Sequence, residues 1–123
     1  NPESMKAAIE NFSKLRVRGR KIAFLGEMRE MGAAAPEVHR ELGALIGTKD
    51  FEYIFFIGPS EAEFSSGVKS SDFKKTLLVT NTYKKNLALI VQPVIDRDDV
   101  VLIKASRGME LERILEELEP VET

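Results

Sequence analysis

The sequence has no cysteine and a single histidine. The first absence excludes a disulfide framework and thiolate metal sites, and the second excludes a histidine-rich one. No apolar run approaches the roughly 18–20 residues that cross a bilayer, and the N-terminus lacks the basic-then-apolar pattern of a signal peptide. An excess of one charge is missing too. Eighteen basic residues against 20 acidic ones leave a net charge of -2, so no global field draws the chain to nucleic acid or to an anionic membrane. There is no GxxxxGKS or GxxxxGKT loop, no GxGxxG turn, and no serine or cysteine triad to assemble. The expectation is a reducing, cytoplasmic setting with no nucleic-acid or membrane partner, and any anion site confined to a local cluster.

What is present suffices for one ordinary core: 123 residues with 43% hydrophobic content point to a single domain over residues 1–123. The chain opens on Asn1-Pro2 without an initiator methionine, which reads as a piece of a longer protein or a processed chain. Asn1 can cap a helix with Pro2 at its first position, and Met5, Ala8, Ile9, Phe12 and Leu15 then share one face, predicting a helix over about 2–15. Residues 22–26 form a short apolar run closed by glycine, a first strand. Val38, Leu42, Leu45 and Ile46 keep helical spacing between Pro36 and Gly47. A second strand follows at 53–58, a short helix at about 60–69, and a third strand at 77–79. Asn81 or Thr82 can start a helix that Pro93 ends near Ile95. A fourth strand at 100–104 and a closing helix with Leu111, Ile114, Leu115 and Leu118 on one face complete the chain. The strands are continuous apolar runs without alternation, as expected when helices cover both faces. The fold class is therefore α/β, a doubly wound, mainly parallel sheet with helices on both faces.

Ligands of such sheets gather beyond the carboxyl ends of the strands, so the loops there are the ones to inspect. Lys104-Ala105-Ser106-Arg107-Gly108 ends the fourth strand where a helix begins. Free N–H groups, a positive dipole end, one hydroxyl and two cations there suit a carboxylate or phosphate; a plain serine cap with solvated cations is the alternative. The loop "GEMREMG" puts Glu27, Arg29 and Glu30 directly after the first strand. There a carboxylate can hold an ammonium group and an arginine a carboxylate, or the loop is simply solvated with Met28 and Met31 tucked beneath it. His39, beside Val38 and Leu42 and without metal-binding partners, reads as structural. Gly58-Pro59-Ser60 reads as a turn capping the next helix.

Taken together, Asn-Pro-x-Ser-Met at the start (Asn1, Pro2, Ser4, Met5), "FLGEMREMG" with His39 downstream, and "KASRGMELE" resemble the C-terminal domain of the Mur ligase family, of the D-alanyl-D-alanine-adding type. The resemblance runs over essentially the whole chain. It implies an ATP-dependent amide ligase of peptidoglycan synthesis built of three domains, in which the carboxylate of a UDP-muramoyl tripeptide becomes an acyl phosphate and the amine of D-alanyl-D-alanine attacks it, with ATP and Mg2+ held mainly by the central domain. This last domain would bring the acceptor and be inactive alone. The resemblance places Asn1 and Ser4 on the nucleotide side. It turns Glu27, Arg29, Lys104, Ser106 and Arg107 toward the acceptor dipeptide, with Glu27 for its ammonium and Arg107 with the turn's N–H groups for its carboxylate. Ala105 stands where relatives often have glycine and Glu27 where they often have aspartate. A free-standing binding module of the same fold is the alternative reading.

Overall fold

The computed structural model describes residues 1–82 and 91–105. They form α1 (Pro2–Ser13), β1 (Lys21–Gly26), a 3-10 turn at Gly32–Ala34 that leads into α2 (Ala35–Ile46), β2 (Tyr53–Ile57), α3 (Glu61–Ser70), β3 (Thr76–Thr80), a second 3-10 turn at Gln92–Val94, and β4 (Val100–Lys104).

All pairings are parallel and the strand order is β3-β2-β1-β4. The order follows from the handedness of crossovers. A strand–helix–parallel strand connection is almost always right-handed, so connections on one face step across the sheet in one direction and connections on the other face step back. The links through α2 and α3 lie on one face, where Leu42, Ile46, Phe64 and Val68 pack with Ala23, Leu25, Ile54 and Phe56, joined by Met5 and Ile9 of α1. The described part of the return from β3 to β4 lies on the opposite face, where Val91, with Val94 and Ile95, packs on Ile22, Phe24, Phe55 and Ile57. Side chains alternate across a strand, so β1 and β2 feed both cores. Ring stacks of Phe56 on Phe64, with centroids 4.4 Å apart, and of Phe24 on Phe55, 4.5 Å apart, mark the two sides.

The expected α/β architecture is the observed one, and its departures from expectation lie at the margins. α1 ends at Ser13. The N–H groups of Lys14 and Leu15 close back onto Asn11 and Phe12 in a tighter turn, and Nζ of Lys21 donates to the Ser13 carbonyl at 2.6 Å, placing a cation on the helix C-terminus. Leu15, expected on the buried face, therefore lies past the helix and is 51% exposed. β1 is buried throughout, but β3 is an edge strand of the described sheet and leaves Leu78 and Val79 exposed. Strands covered on both sides were expected there from composition alone. Residues 83–90 of the helix expected from Asn81 or Thr82 lie outside the described residues, which resume at Val91 and the 3-10 turn at Gln92–Val94. The closing helix lies wholly outside them.

α2 and α3 touch backbone to backbone. A Cβ on Gly43 would collide with the Phe64 carbonyl, and one on Gly67 with the Arg40 carbonyl. This reciprocal contact sets α3 close against α2 and so fixes where its N-terminus meets the carboxyl ends of the strands.

Candidate functional site

β1 has β2 on one side and β4 on the other: the chain steps from β1 to β2 and β3 in one direction and comes back to place β4 on the far side of β1. That makes the gap between β1 and β4 the topological switch point, and the crevice beyond their carboxyl ends the expected ligand position. The register pairs Leu25 with Lys104. The loop after β1 thus begins beside the end of β4 at Lys104 and Ala105.

The first loop is held tightly at its root. Glu27 is buried, and its carboxylate accepts two hydrogen bonds from one residue: Oε1 from the Ser60 N–H at 2.8 Å and Oε2 from the Ser60 hydroxyl at 2.6 Å. Its N–H donates to the Ile57 carbonyl at 3.0 Å, extending the β1–β2 ladder past the strand. Ser60 occupies the cap position of α3, as expected, but its hydroxyl makes no capping bond to the helix and turns to Glu27 instead. The anion at this helix start is therefore the Glu27 carboxylate, delivered from another strand. Gly58 makes room for it: a Cβ there would come within 2.6 Å of both Cβ and Oε1 of Glu27.

His39 reaches the same loop from α2. Its Nδ1 lies 2.7 Å from the Ala35 carbonyl, which can only accept, so Nδ1 carries the proton; Nε2 then accepts the Met28 N–H at 3.0 Å. The ring is fully buried, edge-on to Phe56. Met28 is buried under the loop, while Arg29 and Glu30 face solvent. Glu30 has φ 63°, a left-handed turn before Gly32.

Among the residues singled out from the sequence, Lys104 ends β4 beside Leu25 of β1, Arg29 is exposed on the loop after β1, and the Glu27 carboxylate turns to the β2 side of β1, against Ser60. Ser106 and Arg107 lie outside the described residues. Asn1 and Ser4 form the start of α1, where Asn1 Oδ1 accepts the Ser4 N–H at 2.8 Å as the helix cap. Sequence reasoning missed Ser60 as a partner of Glu27. Nothing in the sequence couples two residues 33 apart until the strand order brings β1 beside β2.

The family model of the Mur ligase, glutamate ligase domain matches residues 1–107. This chain belongs to the Mur ligase family. Within it, the chain is 36% identical over 118 residues to the UDP-N-acetylmuramoyl-tripeptide--D-alanyl-D-alanine ligase of Bacillus subtilis, covering 96% of this chain and 26% of that protein. It is 30% identical to the ligase of the same name from Treponema pallidum, covering 93% of this chain and 24% of that protein. Among solved structures it is similar to the MurF ligase of Thermotoga maritima in complex with ADP, at 32% identity and a TM-score of 0.69, covering 95% of this chain and 25% of that one. A MurF structure from Acinetobacter baumannii superposes with a TM-score of 0.79 at 23% identity, covering 96% of this chain and 26% of that one, which supports the fold. The chain thus spans about a quarter of the length of these Mur ligases.

Proposed function

We propose that this chain is the C-terminal, acceptor-binding domain of a three-domain ligase that adds D-alanyl-D-alanine to a UDP-N-acetylmuramoyl tripeptide in the cytoplasm. The observation that carries the reading is the parallel β1–β4 register, which ends β4 at Lys104 beside Leu25, two residues before Glu27, in a chain whose relatives of 30% identity or more bear that name. An acceptor dipeptide presents an ammonium group and a carboxylate. Lys104, with Ser106 and Arg107 next to it in the sequence, brings two cations and a hydroxyl that suit the carboxylate. Arg29, exposed on the facing loop, supplies a further cation. Glu27 suits the ammonium through the acceptor sites of its oxygens that Ser60 leaves open, since an ionised carboxylate has about four. Asn1 and Ser4 are assigned to the nucleotide side.

ATP and Mg2+ do not fit the residues present as a complete site. The sequence has no phosphate-binding GxxxxGKS or GxxxxGKT loop, and among the described residues no three His, Asp or Glu side chains gather as a metal-binding group. On this reading the remainder of the parent holds both, and the work of this chain is to bind and orient the acceptor. No described helix is long and apolar enough to cross a membrane.

The test has two arms. The purified 123 residues should neither ligate nor hydrolyse ATP, and acceptor-dependent ADP release by them would sink the domain assignment. In the full-length parent, Arg107→Ala should raise KM for D-alanyl-D-alanine by on the order of tenfold or more, the size of one lost charge-assisted contact. An unchanged KM removes Arg107 from the site.

A further inference from the structure

We propose that Ser60 is a positioning residue of the acceptor site: through its hydroxyl and N–H it fixes the rotamer of Glu27, and so decides where that carboxylate meets the acceptor's ammonium group. The inference rests on the acceptor-site reading above. Three observations carry it.

First, the contact is two-pronged. Both oxygens of Glu27 are held by the same residue, at 2.8 Å from N and 2.6 Å from Oγ. A bidentate hold defines the carboxylate plane as well as its position. Second, the hydroxyl gives up the role its place in the chain offers: at the start of α3 it makes no capping bond to its own helix. Third, among the described side chains Glu27 Oε2 has no other donor. Gly58 admits its Cβ and Oε1 at a distance where any side chain would intrude. Nε2 of His39, 3.6 Å from Oε2, is already an acceptor for Met28 N–H and offers no proton. Without the Ser60 hydroxyl, Oε2 would lose its donor in a buried place, and the carboxylate would be held at Oε1 alone by the Ser60 N–H, free to turn about that single bond.

The consequence is a division of labour. Glu27 touches the acceptor, Ser60 acts on it through Glu27, and the two arrive from neighbouring parallel strands, so the loop after β2 governs the geometry of the loop after β1. A positioning residue of this kind acts on acceptor affinity and leaves nucleotide binding alone.

The experiment uses the full-length parent ligase, with acceptor-dependent ADP release as the readout, and compares wild type, Ser60→Ala, the near-isosteric Ser60→Cys, Glu27→Ala and the double variant Ser60→Ala/Glu27→Ala. Ser60→Ala should raise KM for the acceptor dipeptide about tenfold with KM for ATP unchanged, and Ser60→Cys, a weaker donor, should fall between it and wild type. In the Glu27→Ala background, removing the hydroxyl should change nothing further. An active wild type with an unchanged acceptor KM in Ser60→Ala, or in Ser60→Cys should the alanine variant not fold, overturns the proposal and leaves the acceptor-site reading standing. A further loss in the double variant, or a parallel rise in KM for ATP, also overturns it, because either shows Ser60 acting on the fold rather than through Glu27. A folded wild type without acceptor-dependent turnover overturns the reading itself and this inference with it.

Discussion

Oε2 of Glu27 lies 3.6 Å from Nε2 of His39, yet the two do not form an ion pair, because that nitrogen accepts the Met28 N–H and the ring's proton sits on Nδ1 against the Ala35 carbonyl. His39 is therefore a bracket between helix and loop. It ties the fourth-residue carbonyl behind it in α2 to the backbone of the loop after β1, and Glu27 beside it is held by Ser60 alone among the side chains described.

Removing that bracket should be costly. His39→Ala leaves the Met28 N–H without its partner in a buried place and opens a space against Phe56, so a loss of about 3 kcal/mol is expected. His39→Gln, whose side-chain oxygen can take the place of Nε2, should recover part of it. Chemical denaturation measures the loss, and amide exchange locates it: the Met28 N–H should lose protection in the alanine variant before the β1 amides do. Equal protection of Met28 in both variants would contradict the bracket.

The helix pair supports the same site from below. In isolation, glycine to alanine in a helix gains about 1 kcal/mol in propensity. At Gly43 and Gly67 the new methyl would drive into a backbone carbonyl of the facing helix, Phe64 in one case and Arg40 in the other, and backbone cannot turn aside as a side chain can. Overpacking of this kind costs about 1–3 kcal/mol or more. Gly43→Ala and Gly67→Ala should thus each destabilise on balance, read as lower denaturation midpoints with an unchanged slope. A stabilised variant would show that the helices stand further apart than described.

Much of this fold was legible because parallel strands buried between helices are bare apolar runs. "IAFLG", "YIFFIG" and "VVLIK" announce themselves, and Pro36 and Gly47 stand at the two ends of α2. Where the runs sit in the sheet was not legible. Leu78 and Val79 read like the residues of β1 yet are exposed, because β3 holds an edge of the described sheet. Leu15 has the right spacing for the face of α1 but lies beyond the point where Lys21 closes the helix. The candidate site divides in the same way. The loop after β1 was legible as a loop from charge, glycine and position after a strand, whereas the Glu27–Ser60 contact depends on strand order, which the crossover faces decide and no local pattern records.

The end of the sheet opposite the site is closed by an ion pair whose pH dependence can be worked out. Asp99, with its side chain 2% exposed, accepts from the Arg20 backbone N–H at 2.7 Å, from Arg20 Nε at 3.2 Å and Nη2 at 2.7 Å, and from the Asp96 N–H at 2.8 Å. Arg20 also reaches the Val94 carbonyl and lies over the Tyr53 ring, so one guanidinium ties the return segment to the starts of β1 and β4. Burial by itself pushes the Asp99 carboxyl up, but the Arg20 side chain and the two backbone donors outweigh it and hold the group below its ordinary value; Asp99 in turn raises Arg20. A carboxylate with a depressed folded value stabilises the fold fully above its unfolded value of about 3.9, and that stability is lost as pH falls from there through the folded value. Asp99→Asn should therefore cost about 3 kcal/mol at neutral pH, at the lower end for a broken buried pair because Arg20 is 32% exposed and can rehydrate. The gap between wild type and variant should stay constant from pH 7 to pH 5 and shrink below pH 4, measured by urea denaturation along a pH series. A gap that persists undiminished at pH 2 would mean that the loss comes from the shape of the substituted side chain and not from its charge.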